Sequence, residues 1–106
     1  MSKRRPNVTF DPAKSAWNVT QPGRADLPFE VAKDFDFETA LVVEDTRSHP
    51  VTGEPYPERR YQGLGKIKAR TVMMVYSPTA DGYRVISLRS ASKEERAAWQ
   101  AKQTTS

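Results

Sequence analysis

Between Glu58 and Arg89 three β-prone runs follow one another with almost no chain between them, and this spacing restricts the fold more than any other feature. The runs are Glu58 to Gly65, Arg70 to Ser77 and Tyr83 to Arg89, joined by Lys66 to Ala69 and by Pro78 to Gly82. A crossover between parallel strands needs about a dozen residues, so connections this short allow only antiparallel hairpins. Ala40 to Asp45 is rich in aliphatic residues and reads as a fourth strand. It is separated from the others by a loop, Ser48 to Pro57, that holds three prolines and Gly53.

Helices are expected on either side of these strands. Val8 to Phe10 is a short β-prone stretch, after which Asp11 as N-cap and Pro12 at the first helical position open a helix to about Asn18. Ala13 and Trp17 lie four residues apart on its expected buried stripe, and Gln21-Pro22-Gly23 ends the segment. Leu27 to Phe35 reads either as a second short helix, from the spacing of Phe29, Ala32 and Phe35, or as the start of an alternating strand that continues through Asp36-Phe37-Glu38. Ser92-Lys93-Glu94-Glu95 is a capping box and opens a helix to about Lys102, with Trp99 on an apolar side among Ala97, Ala98 and Ala101. The expected fold is α+β: N-terminal helices and one C-terminal helix packed on a twisted antiparallel sheet of about four strands. The boundaries are a flexible tail over residues 1–7, one domain over 8–103 and a frayed end over 104–106.

Composition narrows the chemistry. The 106 residues contain no Cys and a single His49, which excludes thiolate chemistry and histidine clusters. His49 lies beside Pro50 in a loop and is expected at the surface. No apolar run approaches the roughly 20 residues of a membrane helix, and a cytoplasmic setting is expected. The net charge of +4 is unevenly spread, because residues 56 to 106 carry ten basic and four acidic groups. Lys3-Arg4-Arg5 adds three charges at the N-terminus, too few to define a nucleic-acid site.

Period-two geometry places Glu58, Arg60 and Gln62 on one face of their strand, and in the last strand Ser87 and Arg89 point away from Ile86 and Leu88. Arg84, in register with Ile86, is expected to reach over the edge of the core. Glu58, Arg60 and Arg89 can thus meet on one patch, bordered by Asp45 and Arg47. Guanidinium groups and carboxylates suit RNA cleavage by the substrate's own 2'-hydroxyl: arginine forks match phosphate oxygens, and a carboxylate can serve as base. That reaction needs no metal or other cofactor. Arg84, Lys66, Lys68 and Arg70 are the further basic residues expected to contact RNA. Glu and Arg two apart on a strand also commonly form nothing more than a solvated ion-paired face. Trp17 and Trp99 are expected in helix packing rather than as platforms for bases.

Phe10-Asp11-Pro12-Ala13-Lys14 with Asn18, Glu44-Asp45-Thr46-Arg47, Glu58-Arg59-Arg60, Val85 to Ala91 (Val-Ile-Ser-Leu-Arg-Ser-Ala) and Glu95-Arg96 occur in an order that resembles the BrnT family of toxins. The resemblance implies a RelE-like fold and a sequence-relaxed endoribonuclease that inhibits translation. It also implies a BrnA-like ribbon-helix-helix antitoxin, held in a two-plus-two complex. Asp45, Arg47, Glu58, Arg60 and Arg89 fall on the charged positions of the family pattern, with Trp99 where a terminal aromatic is expected. Three segments depart from the pattern. Gln21-Pro22-Gly23 followed by Arg24-Ala25-Asp26 replaces a Lys-His-Gly turn, Tyr56-Pro57-Glu58 replaces Tyr-Gly-Glu, and Tyr76-Ser77-Pro78-Thr79 lacks an arginine.

Overall fold

Asp11 accepts the amide of Ala13 and caps helix α1 (Pro12–Asn18), which starts on its proline as the sequence requires. The structure is a computed structural model and describes residues 6–104. Its strands are β1 (Asn7–Thr9), β2 (Leu41–Glu44), β3 (Tyr61–Ile67), β4 (Arg70–Pro78) and β5 (Gly82–Ser90), and a second helix, α2 (Lys93–Thr104), ends the described chain. The five strands form one sheet in the order β1-β5-β4-β3-β2. All pairs are antiparallel except β1 with β5, so the sheet is mixed and gains a strand at its N-terminal edge. Asn7 belongs to β1 and Thr104 to α2; the expected tail at 1–5, with Lys3-Arg4-Arg5, and the fraying at 105–106 lie outside the described residues.

The Leu27 to Phe35 segment is a 3-10 helix over Phe29–Asp34. Three residues per turn put Phe29 and Ala32 directly above each other, and both are buried. Phe35 then leaves in an extended conformation and bridges to Ile67. Tyr83 fixes the short helix by donating its hydroxyl to the Ala32 carbonyl at 2.8 Å.

Two register details decide what each sheet face carries. β3 begins three residues later than expected, its ladder with β4 starting at Tyr61 opposite Tyr76, and it ends two residues later, since Lys66 and Ile67 still pair with Thr71 and Arg70. The turn is therefore only Lys68-Ala69, with Lys68 at a positive φ of 55° as tight hairpins demand. Glu58 and Arg60 consequently precede the strand and do not alternate along it. In β5 the pairing jumps from Ser87 opposite Val75 to Val85 opposite Tyr76, so Ile86 is an extra, bulged residue. Before the bulge Tyr83 and Val85 face the core, after it Leu88 does, and Ile86 is only partly buried. Arg84 is thereby turned to the opposite face, across from Ser77, and does not lie over the core as alternation predicts.

The core face carries Val72, Met74 and Tyr76 of β4 with Tyr83, Val85 and Leu88 of β5, covered by Leu27, Phe29, Ala32 and Phe35. Phe37 contacts both Tyr76 and Tyr83 edge to face, at centroid separations of 5.5 and 5.1 Å. Gly65 is required here, since a Cβ on it would stand 2.8 Å from the Phe35 ring and 3.0 Å from the Ala40 Cβ. The other face carries Gln62 and Leu64 of β3, Met73 and Val75 of β4, and Ser87 and Arg89 of β5.

Neither helix packs as its apolar residues suggest. Ala13 and Trp17 of α1 are exposed, whereas Ser15 and Asn18 are buried. Hydrogen bonds hold α1 in place: Ser15 Oγ donates to Glu30 and accepts the Phe29 amide, and Asn18 Nδ2 donates to the carbonyls of Leu27 and Leu88, both at 2.9 Å. The capping box of α2 forms in both directions, but Ala97, Ala98 and Ala101 are exposed and Trp99 is half-buried.

Candidate active site

The second face of the sheet is not closed by an apolar layer. Gln62, Met73, Val75 and Ser87 form the floor of a recess of about 220 Å³, and its walls are four arginines: Arg24, Arg47, Arg60 and Arg89. Each comes from a different part of the chain. Arg89 stands on β5 beside Met73, Arg60 leads into β3, Arg47 follows β2, and Arg24 comes from the turn after α1.

Two of these arginines are fixed by carboxylates. Asp45 is buried and accepts Arg47 through Nε and Nη2, both at 2.8 Å, and through the Arg47 backbone amide at 3.1 Å. These bonds outweigh the burial of the carboxyl group and hold its pKa at about 2. Glu95 grips Arg89 at 2.8 and 2.9 Å while also accepting the Ser92 amide, and its pKa too is held at about 2, chiefly by the Arg89 bond. The capping carboxylate of α2 is therefore also the clamp on Arg89.

The other two lack a carboxylate partner among the described residues. Arg24 donates to Asn18 Oδ1 at 2.9 Å, and burial together with the nearby Arg89 charge lowers its pKa. Arg60 is 9% exposed, its Nε is buried without a hydrogen-bond partner, and its guanidinium lies 3.8 Å above the Tyr56 ring. The Pro-rich loop builds that support, closing on itself through a Ser48–Pro55 bridge and a His49–Glu54 backbone bond. His49 is half-buried and accepts the Val51 amide through Nδ1.

Four guanidinium groups against two carboxylates leave the recess with two positive charges. Crowding like charges is unfavourable in the empty site, and an anion relieves it. A phosphate is the matching shape, because guanidinium forks bind its oxygens in pairs. The same groups donate hydrogen bonds and repel cations, so the walls suit an anion and not a metal ion.

Of the residues singled out in the sequence, Arg47, Arg60 and Arg89 converge on this recess, with Asp45 behind Arg47. Glu58 lies in a bend beside it, in an adjoining groove that also contains Arg47, Arg60 and Tyr56, and pairs with Arg84 at 3.4 Å. Lys66, Lys68 and Arg70 gather at the β3–β4 turn, outside the recess. Lys66 lies over the Trp99 ring at 5.1 Å. Arg70 is committed to Asp26, the Gly23 carbonyl and Ser90, which ties the Arg24 turn to the sheet. Arg24 and Glu95, which were not singled out as candidates in the sequence, join the recess as wall and clamp, and Gln62, placed there on one face with Arg60, lies in its floor. The capping box next to Arg89 is a legible signal for Glu95, whereas nothing local marks Arg24, whose position depends on Asn18 reaching Leu88 across the fold.

No curated protein matches the chain. The family model for the ribonuclease toxin BrnT of type II toxin-antitoxin systems matches residues 10–95, from Phe10 before α1 to Glu95, the clamp on Arg89. That span contains the whole arginine recess, and the chain belongs to the BrnT family of ribonuclease toxins.

Proposed function

We propose that the chain cleaves RNA endonucleolytically, without a metal ion, at the arginine recess, and so inhibits translation. The observation that supports this most directly is Arg60, a buried guanidinium held in place by Tyr56 with hydrogen-bonding capacity left over. Burial of an unpaired cation is costly unless a ligand completes it. A scissile phosphate between Arg60 and Arg89 receives paired hydrogen bonds, with Arg47 and Arg24 adding to the field. The 2'-oxygen attacks phosphorus and its proton passes to a base, the bond from phosphorus to the 5'-oxygen breaks, and that oxygen takes a proton from solvent. The products are a 2',3'-cyclic phosphate and a 5'-hydroxyl. Asp45 and Glu95 are poor bases at a pKa of about 2; of the two further carboxylates in the adjoining groove, Glu44 and Glu58, the role goes to Glu58, two residues before Arg60.

A ribonuclease toxin of a type II system acts on RNA and is neutralised by a protein antitoxin. For this chain we infer a BrnA-like ribbon-helix-helix antitoxin in a two-plus-two complex, and a cytoplasmic setting where both partners meet. No helix among the described residues is long and apolar enough to cross a membrane.

The test is cleavage of a single-stranded RNA in excess chelator, with the ends identified. Cyclic phosphate termini support the mechanism, while loss of cleavage on chelation refutes it. Arg60→Met, which keeps the bulk over Tyr56, is expected to reduce kcat by about 100-fold or more, in line with removal of one transition-state donor. Its melting temperature should stay within a few degrees of wild type. RNA retained without any product would identify a binding module instead.

A further inference from the structure

Trp17 is 61% exposed although it is the largest side chain of α1, and it does not pack into the core. It borders a second recess of about 410 Å³ whose inner wall is Phe29 and the bulged Ile86. This recess is mostly apolar, and it meets the arginine recess at two shared residues, Arg24 and Ser87. Isolated surface aromatics are common and need no explanation. An aromatic platform beside an apolar wall, joined to a phosphate-sized cluster of guanidinium groups, is a different arrangement.

We propose that this recess is a nucleobase subsite, in which a base of the RNA substrate stacks on Trp17 while its phosphate lies in the arginine recess; the inference rests on the ribonuclease reading above. Three observations carry it. The volume falls within the range of about 300–1,000 Å³ typical of small-ligand sites. Arg24 is anchored by Asn18 and reaches the boundary of both recesses, where a charged donor meets the phosphate next to the stacked base. Lys14, one turn before Asn18 on α1, adds a cation at the rim. Stacking on an exposed indole tolerates any base, because every base has a π face, so the subsite supplies affinity and register with little sequence preference. The β-bulge has a role in this: by releasing Ile86 from the core it provides the apolar wall opposite Trp17.

The experiment uses a 2'-O-methyl RNA oligonucleotide, which binds but cannot form the 2'-alkoxide, and the cleavable RNA of the same sequence. Trp17→Ala is expected to weaken binding of the 2'-O-methyl RNA by roughly five- to hundred-fold, as for loss of one stacked base. KM should rise by a similar factor with kcat at saturation within about two-fold, and Trp17→Phe should recover most of the loss. In a Trp99→Phe background, the remaining Trp17 fluorescence should be quenched by RNA. Unchanged binding and cleavage in Trp17→Ala, while Arg60→Met is inactive, overturns the subsite and leaves the ribonuclease reading standing. If the wild type binds the analogue through Trp17 but cleaves nothing, the subsite stands and the catalytic reading fails. A Trp17→Ala defect confined to antitoxin binding overturns the subsite in favour of a protein contact.

Discussion

Replacing Glu95 by Gln separates two tasks that one side chain performs. Gln at this position still accepts the Ser92 amide, so the cap on α2 survives, but the charged pair with Arg89 is lost. The Glu95 carboxyl is lowered from 4.5 to about 2, and Arg89 is the first cause. At about 1.4 kcal/mol per pKa unit that is about 3 kcal/mol, which solvent screening of a pair exposed by 38% and 25% reduces to about 1–2 kcal/mol. For a chain of this size the melting temperature should fall by roughly 5–15 °C. Freeing Arg89 also raises the net charge of the recess from two to three. RNA binding is then expected to tighten at low salt with a steeper salt dependence, while kcat falls about 10-fold or more because Arg89 is no longer held in line. Melting, single-turnover cleavage and a salt titration of binding measure all three. Unchanged melting together with unchanged kcat would show that the Glu95 contact is an incidental surface pair.

Acid should act on the same elements. The folded pKa values of Asp45 and Glu95 lie below their unfolded values, so their contribution is complete above about pH 5 and is lost as pH falls toward 2. Denaturant midpoints at pH 7 and pH 3 should differ, and Asp45→Asn should shrink the difference; an unaltered difference refutes the assignment. Gly65→Ala forces a Cβ against Phe35 and Ala40 and is expected to destabilise by about 1–3 kcal/mol, read from the denaturant midpoint. A variant as stable as wild type would mean that Phe35 shifts freely away from β3.

The hairpins were legible because connections of a few residues leave one way to pair β3, β4 and β5. The capping box was legible for a similar reason, since its two bonds lie within four residues. What the sequence hid depends on long-range geometry. Alternation along β5 is broken by a bulge with no local marker, and it moves Arg84 across the sheet to Glu58. The burial of α1 is inverted because Asn18 and Ser15 satisfy backbone groups of distant segments, so polar residues face inward and Trp17 faces out. Of the five residues carried over from the charged positions of the family pattern, Arg47, Arg60 and Arg89 line the recess. Arg24 joined them from the segment in which the chain departs from that pattern.

That departure bears on how the site works. The segment contributes Arg24, which stays charged throughout the accessible pH range even with its pKa lowered by burial and Arg89. The recess is thus walled by guanidinium groups and backed by two carboxylates whose pKa is held at about 2. Such a site stabilises charge far better than it moves protons, so the reaction is expected to draw on electrostatic stabilisation of the pentacoordinate phosphate and on alignment of the 2'-oxygen. Proton removal then falls to Glu58 or to hydroxide from solvent, and the two differ in a measurable way. With Glu58 as base, Glu58→Gln lowers kcat and makes the rate rise with hydroxide concentration. With solvent hydroxide as base, the wild type already shows that rise and Glu58→Gln alters only the contact to Arg84.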